Sequence, residues 1–150
     1  MNRRKAIYRL LFVSVLLTTS GASLAKEVYF THRGLAIRGY DPVAYFTDGR
    51  AVGGESAYAL EWQGVEWRFA SAEHLAMFQK SPERFAPQYG GYCAYAVSQG
   101  YLASVDPTAW TVHENKLYLN YSHGVKRIWE KDMRAYIRQG DVNWPGLMPR

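Results

Sequence analysis

The chain has 150 residues, with 18 Lys or Arg, 13 Asp or Glu and a formal net charge of +5. Four of the basic residues and none of the acidic ones precede residue 26, so residues 26–150 carry 14 basic and 13 acidic residues, or +1. A nearly neutral remainder of about 125 residues has the size of one domain and gives no support to a nucleic-acid surface.

The first 25 residues have the pattern of a secretory signal peptide. A basic start precedes an apolar run over residues 10–17, and small residues, Ser23 and Ala25, occupy the −3 and −1 positions of a cleavage site. The apolar run is shorter than the roughly 20 residues that span a bilayer. We therefore predict a signal peptide over 1–25 and a mature domain over 26–150, periplasmic or secreted, with membrane contact only through an uncleaved signal.

The chain contains a single cysteine, Cys93. In an oxidising compartment it can form no internal disulfide, so it is buried, bound to a ligand or paired between chains. The last possibility allows a homo-oligomer.

Local signals in the first half predict short strands at 26–30 and 35–37 and one helical turn capped by Asp41. Period-two alternation around Gln63–Gly64 predicts a β-hairpin over 57–70. Ser71 then caps a helix over 72–80, and a second short turn opens at Ser81–Pro82.

The second half predicts a helix over 92–99 ended by Gly100, and a capped turn at Asp106–Pro107. A second hairpin follows, with arms at 110–112 and 117–121. Ser122 caps a final amphipathic helix that we expect Gly140 to end. The fold class is thus α+β: a small single domain with two β-hairpins packed against short helices and an amphipathic C-terminal helix. We expect five side chains to be buried: Trp67, Phe69, Phe78, Trp129 and Met133.

Several motifs resemble the YHS domain, in the exported bacterial branch of that family. The resemblance covers nearly all of residues 26–150 and rests on these stretches: Tyr40-Asp41-Pro42-Val43; Trp62-x-Gly64-x-x-Trp67-Arg68-Phe69-Ala70-Ser71 with Phe78, Pro82 and Phe85; 86–94; 116–120; and 143–146.

The resemblance implies metal binding, but this chain departs from the pattern at the ligand positions. Metal-binding relatives place three cysteines where this chain has Ala44, Ala70 and His74. Alanine cannot coordinate a metal, so the three-thiolate site of those relatives cannot form. Only His74 retains ligand chemistry, although a hydrogen-bonding histidine is the simpler reading.

Cys93 and His74 are the candidate metal ligands. Cys93 follows Gly90–Gly91 at a predicted helix start, where backbone amides favour the thiolate and leave room for a ligand. We therefore expect a lowered pKa, partial exposure and, if the two residues share a site, His74 nearby. One thiolate and one imidazole suit copper or zinc. Burial of Cys93 as a small apolar side chain is the alternative.

A ligand pocket is predicted from aromatic and acidic residues near these positions: Tyr89, Tyr92, Trp110 and Asp41. Tyr95 is a further candidate for the same wall. Core packing of the aromatic residues and helix capping by Asp41 are the alternatives.

Three functions remain open. The favoured one is an exported binding module of the cell envelope, holding a soft metal ion or small molecule near Cys93. The second is a redox or thiol-dependent enzyme that uses Cys93, and the third is a structural or interaction domain without a ligand. The first is favoured chiefly by the family resemblance.

Overall fold

A computed structural model describes residues 28–149 as an α+β domain with two small sheets, which confirms the predicted fold class. The predicted signal peptide lies outside these residues. Six α-helices are present in the described range, and none of them is long and apolar enough to cross a membrane.

The larger sheet contains four strands: β1 (Thr31–His32), β2 (Leu35–Ala36), β3 (Glu55–Trp62) and β4 (Val65–Phe69). Their spatial order is β1-β2-β4-β3, with β2 parallel to β4 and the other pairs antiparallel. The hairpin of β3 and β4 confirms the prediction. Its turn residues, Gln63 and Gly64, have φ values of 55° and 76°, as a tight hairpin turn requires.

The predicted strand over 35–37 ends one residue early. Ile37 and Arg38 have φ values of 48° and 51° and form a 3₁₀ turn with Gly39, so the chain leaves the sheet at Ala36. Left-handed backbone is a rare conformation for a β-branched residue. This strained backbone occurs at a residue whose side chain is buried and packed in the core.

Three short helices follow the predicted caps: α1 (Ala44–Thr47), α2 (Ala72–Lys80) and α3 (Pro82–Phe85). The Asp41 carboxylate accepts the N–H groups of Val43 and Ala44 at 2.8 and 3.3 Å, and the Ser71 hydroxyl accepts the N–H of His74 at 3.1 Å. These bonds satisfy amides that a helix start leaves without partners.

The next elements are α4 (Ala94–Ser98), β5 (Asp106–His113) and β6 (Lys116–Asn120), and the last two form the second sheet. The predicted second hairpin is confirmed. The helix starts two residues later than predicted, because Cys93 is its N-cap. The predicted turn at Asp106–Pro107 is wrong: Asp106 accepts the N–H and hydroxyl of Thr108 at 2.8 and 2.7 Å and begins a strand.

The predicted final helix is two helices, α5 (His123–Glu130) and α6 (Met133–Leu147). Ser122 caps the first as expected, accepting the N–H of Val125 at 3.1 Å. Asp132, with a φ of −144°, interrupts the helical backbone between them. Gly140 does not end the helix but lies inside α6, where it packs against Tyr89.

The buried core forms two clusters, one beneath the larger sheet and one around Trp129 between α4, β6 and the last helices. Of the five predicted core residues, Trp67, Phe69, Phe78 and Trp129 are buried. Met133 is only partly buried, because it begins α6 at the edge of the second cluster.

Candidate functional site

Cys93 lies at the inner end of an apolar pocket of about 280 Å³. Cys93 and Ala96 are the most enclosed residues of the lining, each 1% exposed, whereas Tyr101 and Tyr121 are 52% and 58% exposed. The lining brings together residues from α4, the loop after it, the end of β6 and α5: Cys93, Tyr95, Ala96, Tyr101, Ala103, Tyr121 and Val125. Two exposed tyrosines thus flank the opening, and the thiol faces the interior.

The thiol is held by hydrogen bonds on two sides. The Cys93 Sγ atom accepts the backbone N–H of Tyr121 at 3.3 Å and donates to Oδ1 of Asn120 at 3.5 Å. The same Asn120 oxygen accepts the N–H of Tyr95 at 3.1 Å, which ties the thiol to the first turn of α4. Because the thiol donates a proton to an amide oxygen, this arrangement suits the neutral form.

Burial raises the pKa of the Cys93 thiol above its ordinary value, and this outweighs the opposite effect of the amides of Ala96, Tyr121 and Tyr95. The predictions of a lowered pKa and a partly exposed thiol are therefore wrong. The amide contacts were expected from the helix start, but removal of the thiolate from water is the larger effect.

The two glycines before Cys93 bring parts of the chain together and do not open a path for a ligand. Gly90 has a φ of 61°, and a Cβ there would collide with the carbonyl oxygen of Val28 and crowd the ring of Trp144. Its own carbonyl accepts the N–H of Phe30 at 2.7 Å. Gly90 is thus required for the close approach of the first described segment.

His74, which is partly buried, forms a pair with the buried Asp41. The His74 Nδ1 atom lies 2.5 Å from Oδ2 of Asp41, whose carboxylate is fully buried. Both carboxylate oxygens also accept backbone N–H groups, Oδ1 from Val43 and Ala44 and Oδ2 from Ala70 at 2.9 Å. The carboxylate therefore acts as the acceptor, and Nδ1 carries the proton.

The other imidazole nitrogen faces outward, toward the end of α1. The His74 Nε2 atom is 3.2 Å from the Thr47 hydroxyl and 3.8 Å from Oδ1 of Asp48. Thr47 and Asp48 are exposed, so this nitrogen lies at the boundary with solvent.

The predicted site residues lie in separate parts of the domain. No hydrogen bond joins Cys93 to His74 within residues 28–149, and the two side chains bond to different residues. The structure therefore gives no support to a metal shared between them. Asp41 lies with His74. Tyr89 and Tyr92 pack against Trp144 with ring centroids 6.0 and 6.1 Å apart.

Trp110 packs against the ring of Tyr45, with a centroid separation of 5.4 Å. None of the four residues predicted to line a ligand pocket borders the pocket at Cys93; the further candidate, Tyr95, does. Tyr89, Tyr92 and Trp110 contribute to packing, since each ring contacts another aromatic ring.

Tyr101, Tyr121 and Val125 also line the pocket, although no local pattern in the sequence predicts this. Tyr101 follows the helix-ending Gly100 and Tyr121 precedes the cap Ser122, so both are large aromatic residues in connecting segments. Aromatic side chains at such exposed positions are a signal for binding surfaces. Their meeting at Cys93 depends on tertiary packing, which no local pattern shows.

The described residues contain no group of three or more His, Cys, Asp and Glu side chains arranged to hold a metal ion. At the positions of the relatives' cysteines, Ala44 is fully buried, and the N–H of Ala70 is bonded to Asp41. The three-thiolate site implied by the resemblance therefore does not fit this chain.

Comparisons of the chain with protein-family models, curated proteins and solved structures gave no match. The resemblance to the YHS domain consequently remains a prediction from the motifs.

Proposed function

We propose that this protein is an exported, YHS-like binding module of the cell envelope that holds a small, mainly apolar molecule beside Cys93. The observation that carries the proposal is the pocket of about 280 Å³ with the thiol at its inner end and two exposed tyrosines at its opening. Export is supported by the signal-peptide pattern of residues 1–25, and the family assignment by the motifs quoted above.

The chemistry of the pocket favours a small molecule over a soft metal ion. Its walls are formed by methyl groups and aromatic rings of Tyr95, Ala96, Ala103 and Val125, which offer a metal no charged ligand. The only soft donor is a thiol whose pKa is raised by burial. Ligand pockets are commonly apolar with a few polar groups, in volumes of roughly 300–1,000 Å³, so this one suits a small ligand.

The raised pKa also disfavours a thiol-dependent enzyme. A nucleophilic or redox cysteine reacts as the thiolate. Cys93 instead donates its proton to Asn120, and burial leaves its thiolate without solvation by water. Cys93 is better suited to contribute a polarisable, weakly polar surface at the end of the pocket.

Two small apolar probes, indole and toluene, test the pocket directly. We expect either probe to shift the backbone NMR signals of Ala96, Ala103 and Val125 in a saturable manner, since these residues line the cavity. A Val125→Trp substitution places an indole ring in the pocket and is expected to abolish the shifts.

Val142→Trp is the matched control, because Val142 is 74% exposed on α6 and is not among the pocket-lining residues. This variant should bind the probes as the unchanged protein does. Shifts that are absent from the pocket residues, or that persist in Val125→Trp, would count against the proposal.

A further inference from the structure

A further cleft, of about 370 Å³, lies between the turn of the β5–β6 hairpin and one face of α6. The strand side contributes Lys116 and Tyr118, which are two residues apart and therefore face the same side of β6. The helix side contributes residues spaced by three or four positions, which share one helix face: Arg134, Ile137, Arg138 and Asp141. Two elements that are separate in the sequence thus form the walls of one cleft.

The basic side chains of this cleft have no acidic partner. Arg134 and Arg138 lie one helical turn apart, a spacing at which like charges repel each other, and Lys116 adds a third charge from the strand side. Within residues 28–149, none of these three side chains forms an ion pair or a hydrogen bond. An anion bound between them would relieve the repulsion and provide the missing partner.

The two carboxylates that border the cleft have other partners. The Glu114 Oε1 atom lies 3.6 Å from Nε2 of His113, and the Glu114 side chain is 78% exposed at the tip of the hairpin. The Asp141 Oδ1 atom accepts the hydroxyl of Tyr89 at 2.9 Å. With three basic and two acidic side chains, the lining has a net positive charge.

Tyr118 contributes a buried hydroxyl to the cleft. The residue is 3% exposed, and its ring packs against Tyr89 and Trp129 with centroid separations of 5.9 and 5.3 Å. Burial raises the pKa of Tyr118 to about 12, and the carboxylates of Asp141 and Glu114 add to this effect. Since both carboxylates border the cleft, the hydroxyl is directed toward it. It has no hydrogen-bond partner within residues 28–149, so a ligand that accepts its proton would satisfy a buried polar group.

From this arrangement we infer that the cleft binds a small organic anion through a phosphate or carboxylate group. Arg134 and Arg138 carry planar guanidinium groups that can donate paired hydrogen bonds to such a group, and Lys116 supplies a point charge. The Tyr118 hydroxyl donates to a further oxygen of the ligand. The cleft is larger than the anionic group alone, and Ile137 offers an apolar surface to the rest of the molecule.

Phosphate and succinate, added to the purified protein at constant ionic strength, test the inference and distinguish the two anionic groups. We expect at least one of them to shift the backbone NMR signals of Lys116, Arg134 and Arg138 in a saturable manner. Arg138→Gln should weaken that binding by about 10-fold or more, because it removes a charged donor. Tyr118→Phe should also weaken it without unfolding the domain, since the ring is retained and the hydroxyl has no internal partner to lose.

Arg127→Gln is the matched control, because Arg127 is also exposed, lies on α5 and does not border the cleft. This variant should bind the probes with unchanged affinity. Val125→Trp should do so too, since the cleft shares no lining residue with the pocket at Cys93, and either proposal can therefore fail without the other. The inference is overturned if neither probe binds at millimolar concentration, if Arg138→Gln or Tyr118→Phe binds as tightly as the unchanged protein, or if Arg127→Gln weakens binding by the same factor as Arg138→Gln.

Discussion

At the scale of single residues, Cys93 is subject to two opposing effects. The amides of α4 and Tyr121 stabilise a thiolate, whereas enclosure by the core destabilises it, and enclosure has the larger effect. The outcome determines which chemistry the residue can perform. A protonated, enclosed thiol can line a binding pocket, but it is a poor nucleophile and a poor metal ligand.

The raised pKa of Cys93 predicts a specific dependence of stability on pH. Above the ordinary thiol pKa of 9.0 the unfolded chain releases a proton that the folded chain retains, so the free energy of unfolding should fall as pH rises. Between about pH 8.5 and 10.5 the slope due to this group should grow toward a limit of about 1.4 kcal/mol per pH unit. Urea unfolding at several pH values measures it.

Cys93→Ala provides the reference, because it removes the titrating group and leaves the others in place. The unchanged protein should lose more stability than the variant over this pH range. Equal slopes for the two proteins would show that the thiol ionises with the same pKa in the folded and unfolded chains.

Caps and turns could be predicted from the sequence because their energetics are local. Asp41, Ser71 and Ser122 each accept an amide two or three residues ahead, and that spacing is visible in the sequence. The burial of Cys93 and its separation from His74 could not be predicted in this way. Both depend on contacts between residues about 30 positions apart, such as His74 with Asp41 and Cys93 with Asn120.

At the scale of elements, α6 shows how packing overrides a local stop signal. Gly140 would normally be expected near a helix end, yet the helix continues through it to Leu147. A Cβ at this position would lie 2.6 Å from the hydroxyl oxygen of Tyr89 and 2.8 Å from the ring carbon that bears it. The glycine is therefore explained by the close approach of the tyrosine ring.

We expect Gly140→Ala to destabilise the protein by about 1–2 kcal/mol. Alanine favours a helix interior over glycine by about 1 kcal/mol, but overpacking in a filled site commonly costs about 1–3 kcal/mol. The ring of Tyr89 cannot easily withdraw, since its hydroxyl is bonded to Asp141 at 2.9 Å and to the carbonyl of Ile137 at 3.1 Å. Urea unfolding provides the measurement.

Gly146→Ala is the matched control in the same helix, because a Cβ there meets no atom within 4 Å. It should leave stability unchanged or raise it slightly. A Gly140→Ala variant as stable as this control would show that Tyr89 does not pack against the helix as described.

At the scale of the whole molecule, removal of residues 1–25 would change the charge of the protein from +5 to +1. The calculated isoelectric point of 9.3 belongs to the full chain and is raised by the four basic residues of the predicted signal. A nearly neutral domain is consistent with the proposed uncharged or apolar ligand of the pocket at Cys93.

We predict that the protein isolated from its native host begins near Lys26, following the pattern of small residues at Ser23 and Ala25. Intact mass spectrometry of the periplasmic or secreted fraction measures this, and Ala25→Lys should block cleavage by replacing the small residue at position −1. Lys26→Ala, which leaves both small residues in place, is the control. Full-length protein in a soluble fraction of the unchanged strain would contradict the prediction.

The segment Tyr89–Gly91 also has a consequence for the order of folding. Gly90 accepts the N–H of Phe30 near the first described residues, and Tyr89 packs against Trp144 in the last described helix. Contacts of such long sequence separation form late and slow the folding of a domain. During synthesis the strand hairpins can pair as they emerge, but Tyr89 gains this partner only after residue 144 has left the ribosome. The domain therefore closes only when its synthesis is nearly complete, so until then the chain would stay in the unfolded form that the predicted export requires.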